Sequence, residues 1–455
     1  MRSKQHPDKK LNSKNLRKKL ICVGVLACLQ TASYSQDLKG TLEDLLKNHP
    51  RLVASGHDLK SASEKVSEVT RRAWTPNLDV TSEEGRQKYK QAEERNQVLD
   101  TARNSIRATQ LLWDFDKSDK QIAEAQAVRE QSRATAAATE TGLLLEALTA
   151  HWSYIRADRT LMFARQSEAS VRTQANMESS MVELGKGYES NVLQAKVQLT
   201  QAESRRLRSE GALDIAQARV KAVFGPMTVR VDYKMLAVPR MDIMPKTLEE
   251  AHQIAQQNNK QIQIGMHRSQ AILQRMGSTS AREFLPRINF VTEVANRKNT
   301  DGTDTKSEFW NDKKAFFQFQ YNLNSGMAGS AAVDAVANDY KASVSREVES
   351  RDLVMEQVNI AWRNMHVSMQ NKETLANLVR IAAKYYEMAV AERQMGRRTL
   401  LEVLSAELSL INALSDLMAT EADAAIASLT LLQAIGKLDV SAFELKPIDS
   451  VLPKI

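Results

Sequence analysis

The residues that could do chemistry in this chain are few and scattered. Beyond the first 35 residues the histidines are His49, His57, His151, His252, His267 and His366, and no two stand three or four apart. Two imidazoles need that spacing to reach one metal from one helix face. The sequence has no phosphate-binding G-x-x-x-x-G-K-S/T loop, no G-x-G-x-x-G after a strand, no H-E-x-x-H and no G-x-S-x-G elbow. An enzymatic role, a cofactor and a metal are therefore not expected. What remains is a charged passage, MGRRTLLEVLSAEL, from Met395 to Leu408. Arg397 and Arg398 follow Gly396, and Arg398 and Glu402 stand four apart, the spacing of an exposed helical ion pair worth a few tenths of a kcal/mol.

That passage has a twin 211 residues upstream, LGKGYESNVLQAKV, from Leu184 to Val197. Sliding the chain by 211 aligns 185–225 with 396–436 without a gap. Gly185, Val192, Leu193, Ala195, Leu199 and Gly225 meet identical residues at Gly396, Val403, Leu404, Ala406, Leu410 and Gly436. A looser echo pairs the segment ending at Pro76 with that ending at Pro286. The chain thus reads as two copies of one plan. We divide it into a leader, 1–35; a first repeat, 36–225; a connector, 226–246; a second repeat, 247–436; and a tail, 437–455. Pro226, Pro239 and Pro245 keep the connector from being helical.

The leader has a basic start, eight Lys and Arg against Asp8, then the apolar LICVGVLACL and the small-residue exit QTASYSQ. This is a secretory signal, with cleavage placed after Ser35; the rival reading is a lipobox, VLAC, with Cys28 lipidated. Without the leader, 55 bases stand against 54 acids, so the formal +8 is no argument for nucleic-acid binding. Both cysteines, Cys22 and Cys28, lie in the leader, which leaves the mature chain without a disulfide.

No proline occurs from 77 to 225 or from 287 to 446. Each repeat reads as a medium helix, two strands, a long helix, a reversal at Gly185 or Gly396, and a shorter return helix. The long helices, 117–183 and 327–395, would each span roughly 100 Å, far beyond the usual 10–14 residues or so of a compact globule. In the second return helix Leu401, Leu404, Leu408, Ile411 and Met418 form one heptad seam, and Leu400, Val403, Leu410, Leu414 and Leu417 another. Two seams imply a neighbour on each side, as in a sheet or cylinder of helices.

The strands carry a period of two. Ile288, Phe290, Thr292 and Val294 alternate with polar partners, as do Phe317, Phe319, Tyr321 and Leu323. In the first repeat NLDVTS and SIRATQLLW hold the same slots. The polar stretches between them, 83–104 and 296–314, read as loops. Such alternation suits either a small soluble hairpin with one buried face or strands of a membrane barrel.

The ordered set resembles the TolC-like outer-membrane factor family: export signal, two repeats, two strands and two long helices in each, and tips of the form G-x-x-(S/T)-x-x-(D/E)-V-L-x-A. The resemblance implies a mainly α fold with a transmembrane β-barrel part. Three protomers would build a periplasmic α-barrel and a shared 12-stranded barrel in outer-membrane lipid of a Gram-negative bacterium. It implies a passive exit duct, docked at its tips by a periplasmic adaptor and an inner-membrane transporter. Arg398 matches the family's tip arginine and Glu402 its first ring acid, whereas Ser405 and Asn191 stand where acids are expected, which implies a less acidic entrance. Ile288, Phe290, Val294, Phe317, Phe319 and Tyr321 would face the membrane. Type I protein secretion is the leading cargo reading, with small-molecule efflux as the alternative. A non-channel exported coiled-coil protein, structural or adhesive, is the rival class.

Overall fold

The computed structural model describes residues 38–89, 97–225, 233–298, 309–321 and 326–448. The leader, its cleavage site, the Cys28 lipobox, Leu323 and the end of the tail lie outside the described residues. Among the described residues no helix is long and apolar enough to cross a membrane.

The single medium helix expected at the head of each repeat is in fact two. In the first repeat α1 (Leu38–Asn48) gives way to α2 (Pro50–Trp74). Pro50 has no amide to continue α1 and is well suited to a first helical turn; the His49 side chain accepts from the Arg51 amide at 3.2 Å. In the second, Asn259 separates α5 (Leu248–Asn258) from α6 (Lys260–Phe284), its side chain accepting from the Gln261 amide at 2.8 Å. An N-cap acceptor of this kind satisfies amides that the first turn leaves open.

The long helices are α3 (Lys117–Glu183) and α7 (Gly326–Gln394), of 67 and 69 residues. Their return partners are α4 (Glu189–Phe224) and α8 (Leu400–Ala434). At every level the helices lie side by side in one layer four wide. Beside the strands the order is α2, α3, α6, α7; toward the reversals it is α4, α3, α8, α7. Apart from Leu401, which is exposed, both seams of α8 are covered inside the chain. Leu410, Leu414 and Leu417 pack with Val379 of α7 and Phe163 of α3, and Leu404 meets Val171 of α3. The uncovered apolar flanks belong instead to the outer helices, α4 and α7.

The strands are longer than their hydrophobic pattern. β1 (Asn77–Tyr89), β2 (Gln97–Trp113), β4 (Arg287–Lys298) and β5 (Phe309–Gln320) form one antiparallel sheet in the order β1-β2-β4-β5. Much of the polar sequence read as loop is strand, because ladder formation needs backbone groups and not apolar side chains. The polar ends pair across strands: Ser82 donates to Asn104 at 2.6 Å, and Arg86 to Asp100 at 2.9 Å. Tyr321, read as a strand residue, lies one position past β5.

Connector and tail meet. β3 (Met235–Pro239) pairs with β6 (Phe443–Pro447), a contact that neither segment's sequence shows. This small sheet, with α1 and α5, packs on the waist of α3 and α8 around Leu148, Trp152, Phe224, Leu236 and Leu429, all buried. The Trp152 indole donates to the Ala237 carbonyl at 2.9 Å. The repeats close at Gly225 and Gly436, both at positive φ; a side chain at Gly436 would stand 2.4 Å from the Asn258 carbonyl.

Candidate functional site

Two places gather the residues singled out from the sequence: the reversals at one end of the helical layer and the four-stranded sheet at the other.

Each reversal is built on a left-handed glycine, Gly185 at φ 71° and Gly396 at φ 73°. The same two hydrogen bonds recur in both. Gly185 N reaches Val182 O and Lys186 N reaches Met181 O; Gly396 N reaches Arg393 O and Arg397 N reaches Glu392 O, all at 2.8–2.9 Å. These satisfy carbonyls that a helix end would leave open. The two return helices start differently. Thr399 and Glu402 form a full capping box at the head of α8: the Glu402 amide donates to the Thr399 hydroxyl, and the Thr399 amide to the Glu402 carboxylate at 2.9 Å. α4 starts at Glu189 with no side-chain cap.

The structure separates Arg398 from Glu402. The expected four-apart pair does not form, because Glu402 turns back to its own cap while Arg398 turns to α7. There Arg398 donates to the Glu392 carboxylate and, at 3.1 Å, to the Tyr385 hydroxyl; its guanidinium lies 5.3 Å from the Tyr385 ring centre. Hydrogen bonds to Tyr385 and Glu392 hold the Arg398 pKa above its usual value. The Thr399 amide holds the Glu402 carboxyl below its usual value. Both charges are thus fixed at neutral pH. Asn191 and Thr399, from the two reversals, line a shared cavity of about 280 Å³ with Glu178 and Leu401. Arg393 stands 3.7 Å from Glu178, and Arg397 and Ser405 are exposed. The sequence reading missed Tyr385, Glu392 and Arg393. The Thr-x-x-Glu spacing of the cap was there to be read; the α7 partners carry no sequence signal.

The sheet is amphipathic across its thickness. Register places Val80, Ile106, Val294 and Lys313 in one row, Leu78, Ala108, Thr292 and Ala315 in the next, then Phe290 between Gln110 and Phe317 and Ile288 between Trp113 and Phe319, a face apolar but for Gln110, Thr292 and Lys313. This face is bare: Phe317 is 73% exposed and Val80 72%. The other face carries Asp79, Arg107, Glu293 and Lys314 in a single row across all four strands. Arg107 donates to Glu293 at 2.7 Å, and Arg103 stands 3.8 Å from it. Row-wise alternation of sign keeps this polar face neutral. β1 and β5 are the two edges, each with one unpaired side, which is the state natural sheets avoid leaving exposed.

Among the described residues no cluster of His, Cys, Asp or Glu could hold a metal. What the described residues offer is surfaces: an apolar sheet face, two open edges, and a charged helical tip.

Comparison with known proteins agrees with this geometry. A family profile described as "Outer membrane efflux protein" matches residues 41–226 and 251–437. The "Outer membrane protein TolC" of Vibrio cholerae is 24% identical over 430 residues, 92% of this chain and 96% of the relative. The "Outer membrane efflux protein BepC" of Brucella suis is 21% identical over 414 residues, 90% of this chain and 87% of the relative. Among solved structures, the Campylobacter jejuni CmeC outer membrane channel superposes with a TM-score of 0.77 at 12% identity, covering 89% of this chain and 88% of that one. A membrane protein from Pseudomonas aeruginosa does so with 0.76 at 18% identity, covering 88% and 93%. The structural likeness shows the fold, and the profile spans both repeats.

Proposed function

Since this chain belongs to the outer membrane efflux protein family, we propose that it is the outer-membrane exit duct of a tripartite export system, closed as a homotrimer and passive in itself. One observation carries the reading: a four-stranded sheet, apolar on one face and charge-paired on the other, with both edges open. Four strands cannot close, since about eight make the smallest membrane barrel. Three copies supply twelve, with Phe317, Phe319 and Val294 toward lipid and the Arg107–Glu293 row toward water.

The helical flanks support the same closure. On α4, Leu193, Val197 and Leu207 are exposed in line with Thr200 and Ser204; on α7, Val367, Ile381, Tyr385 and Met388 are exposed. Repeat symmetry gives these flanks partners. Within one chain α8 lies on α3 through Leu404 and Ile411. The equivalent α4 residues, 211 earlier, are Leu193 and Thr200, which would lie on α7 of the next copy. The tips would then surround the periplasmic entrance, with Glu402 and Arg398 there and with Asn191 and Ser405 lowering its acidity. An adaptor and an energised inner-membrane transporter would dock at them, because this sequence has no nucleotide loop.

For cargo we propose polypeptides of a type I system. The segments QLLWDFDKS and QYNLNSGMAGSAAVDAV resemble that branch. The efflux name of the Brucella suis relative supports small molecules as the second reading. A deletion strain separates them: loss of one large secreted polypeptide marks the first, sensitivity to dyes and detergents the second.

The duct itself is tested by the mass of the detergent-solubilised protein and by planar bilayers. Three chains per particle and single-channel steps are expected; a monomer without conductance would end the reading. Arg398→Ala should raise the open conductance severalfold, because Arg398 clamps the reversal to Glu392 and Tyr385; unchanged conductance would leave it a surface pair.

A further inference from the structure

Midway along the helical layer a cleft of about 340 Å³ opens between α3, α4 and α8. Ser167 enters it from α3, Arg205, Arg208 and Ser209 from α4, and Asn412 and Ser415 from α8. Among the described residues no carboxylate lines it. Asn412 belongs to the one exposed stripe of α8, which runs from Glu402 through Ser405, Ser409 and Asn412 to Asp416. The cleft therefore opens on that side of the layer.

Two groups in the cleft lack partners. Ser167 is only 4% exposed, and its Oγ makes no hydrogen bond among the described residues. Arg205 Nη2 is buried and likewise unbonded. A buried polar group left unpaired costs about 1–3 kcal/mol, so each such group in a folded protein asks for an explanation. The neighbouring arginines set these two apart. Arg165, Arg172 and Arg206, on the other side of the same helix pair, all reach Glu168, Glu203 or Glu210. Arg205 and Arg208 face the carboxylate-free side.

We propose that this cleft binds a phosphate group, free or carried on a small polar molecule. Two guanidiniums present planar forks suited to oxyanion edges, and Ser167 and Ser415 add hydroxyl donors, while the Ser209 hydroxyl already donates to the Arg205 carbonyl at 3.0 Å. That set outnumbers what the two oxygens of a carboxylate can accept and matches a group with three or four. The volume leaves room for an organic body beside it. The site is built from one chain and does not depend on the duct reading. Its rival is an acidic side chain of a neighbouring copy reaching Arg208 at the edge of the α4 flank.

The test is calorimetric titration of the intact detergent-solubilised protein with inorganic phosphate and, separately, with glycerol 3-phosphate. One saturable site per chain is expected. Arg205→Gln should weaken binding about tenfold or more, in line with about 1.4 kcal/mol for one charged hydrogen bond. Ser167→Ala, deep inside one chain and away from any partner copy, should weaken it about threefold. Arg172→Gln, on the opposite side, should leave it unchanged. Tighter binding of glycerol 3-phosphate assigns the site to an organic phosphate, and equal binding to the free ion. No saturable heat with either probe, or equal affinity in wild type, Arg205→Gln and Ser167→Ala, overturns the proposal. Bilayer conductance of the same samples keeps this outcome separate from that of the duct reading.

Discussion

The two helical hairpins follow one plan and are held together by opposite means. Midway along α3 and α4, between the apolar contacts of Val171 with Ala202 and of Leu148 with Phe224, the contact is ionic. Arg206 bridges Glu168 at 2.5 Å and Glu210 at 2.6 Å, and Arg172 bridges Glu168 at 2.7 Å and Glu203 at 2.8 Å. The positions 211 later are Val379 for Glu168, Ala383 for Arg172, Leu414 for Glu203 and Leu417 for Arg206. Val379, Leu414 and Leu417 pack in one buried cluster with Phe163. Only Glu421 keeps the acid of Glu210, and Lys372 meets it at 3.0 Å. The same backbone path is compatible with a charge ladder or a leucine seam. The two solutions differ in burial: Leu414 and Leu417 of α8 are closed in between α3 and α7, where charges would lose their water, whereas the Arg172–Glu203 pair stays half exposed.

The largest test of this contrast is Leu414→Ala. Its side chain is buried, so truncation should cost about 2–5 kcal/mol, read from the denaturation midpoint. The equivalent Glu203→Ala should cost under about 1 kcal/mol, as that pair is half exposed. Equal losses would erase the distinction. Next comes Arg206→Met, which leaves Glu168 with Arg172 as its remaining arginine donor and should lower the denaturation midpoint by less than Leu414→Ala does. Its effect should shrink as salt rises, while that of Leu414→Ala should not. At the reversals, Thr399→Ala removes the α8 cap and should cost about 1 kcal/mol. Amide exchange at Leu401 and Glu402 should quicken, with α4 as the uncapped reference.

The smallest effect is the most diagnostic in sign. Burial pulls the Glu168 carboxyl upward, but the hydrogen bonds of Arg206 and Arg172 prevail and hold it below 4.5. Its stabilising contribution is present above that value and is lost as pH falls through the lowered folded pKa. Glu407, in the second hairpin, is pushed above 4.5 by burial, partly opposed by the Ser170 hydroxyl at 2.7 Å. Its folded form favours the neutral acid, so its penalty is absent below 4.5 and grows as pH rises through the folded pKa. Glu407→Gln should therefore raise thermal stability at pH 7.5 and leave it unchanged at pH 4. Glu168→Gln should lower stability at pH 7.5 and matter least in strong acid. Matching pH profiles for the two variants would break the comparison.

Much of this molecule was legible before folding was considered. Gly185 and Gly396 marked the reversals because few other residues tolerate positive φ. The proline-free spans marked the long helices, and Ile288, Phe290 and Val294 marked a strand face. Local patterns failed where partners were remote. His49–Pro50 and Asn259 each split a helix that periodicity ran together. The polar segments 83–89 and 97–104 became strand because their backbones found a neighbour. Arg398 left Glu402, four residues away, for Glu392 and Tyr385 on the preceding helix.

By itself the sequence determined the doubled plan, where each copy turns back, and which faces are apolar, because those properties are written in spacings of a few residues. Only the tertiary structure decided which apolar faces are covered within the chain and which remain bare on α4, α7 and the sheet. It also decided that connector and tail pair as β3 and β6, and that Arg107 meets Glu293. Those outcomes depend on the relative placement of elements up to hundreds of residues apart, and side-chain periodicity carries no record of that.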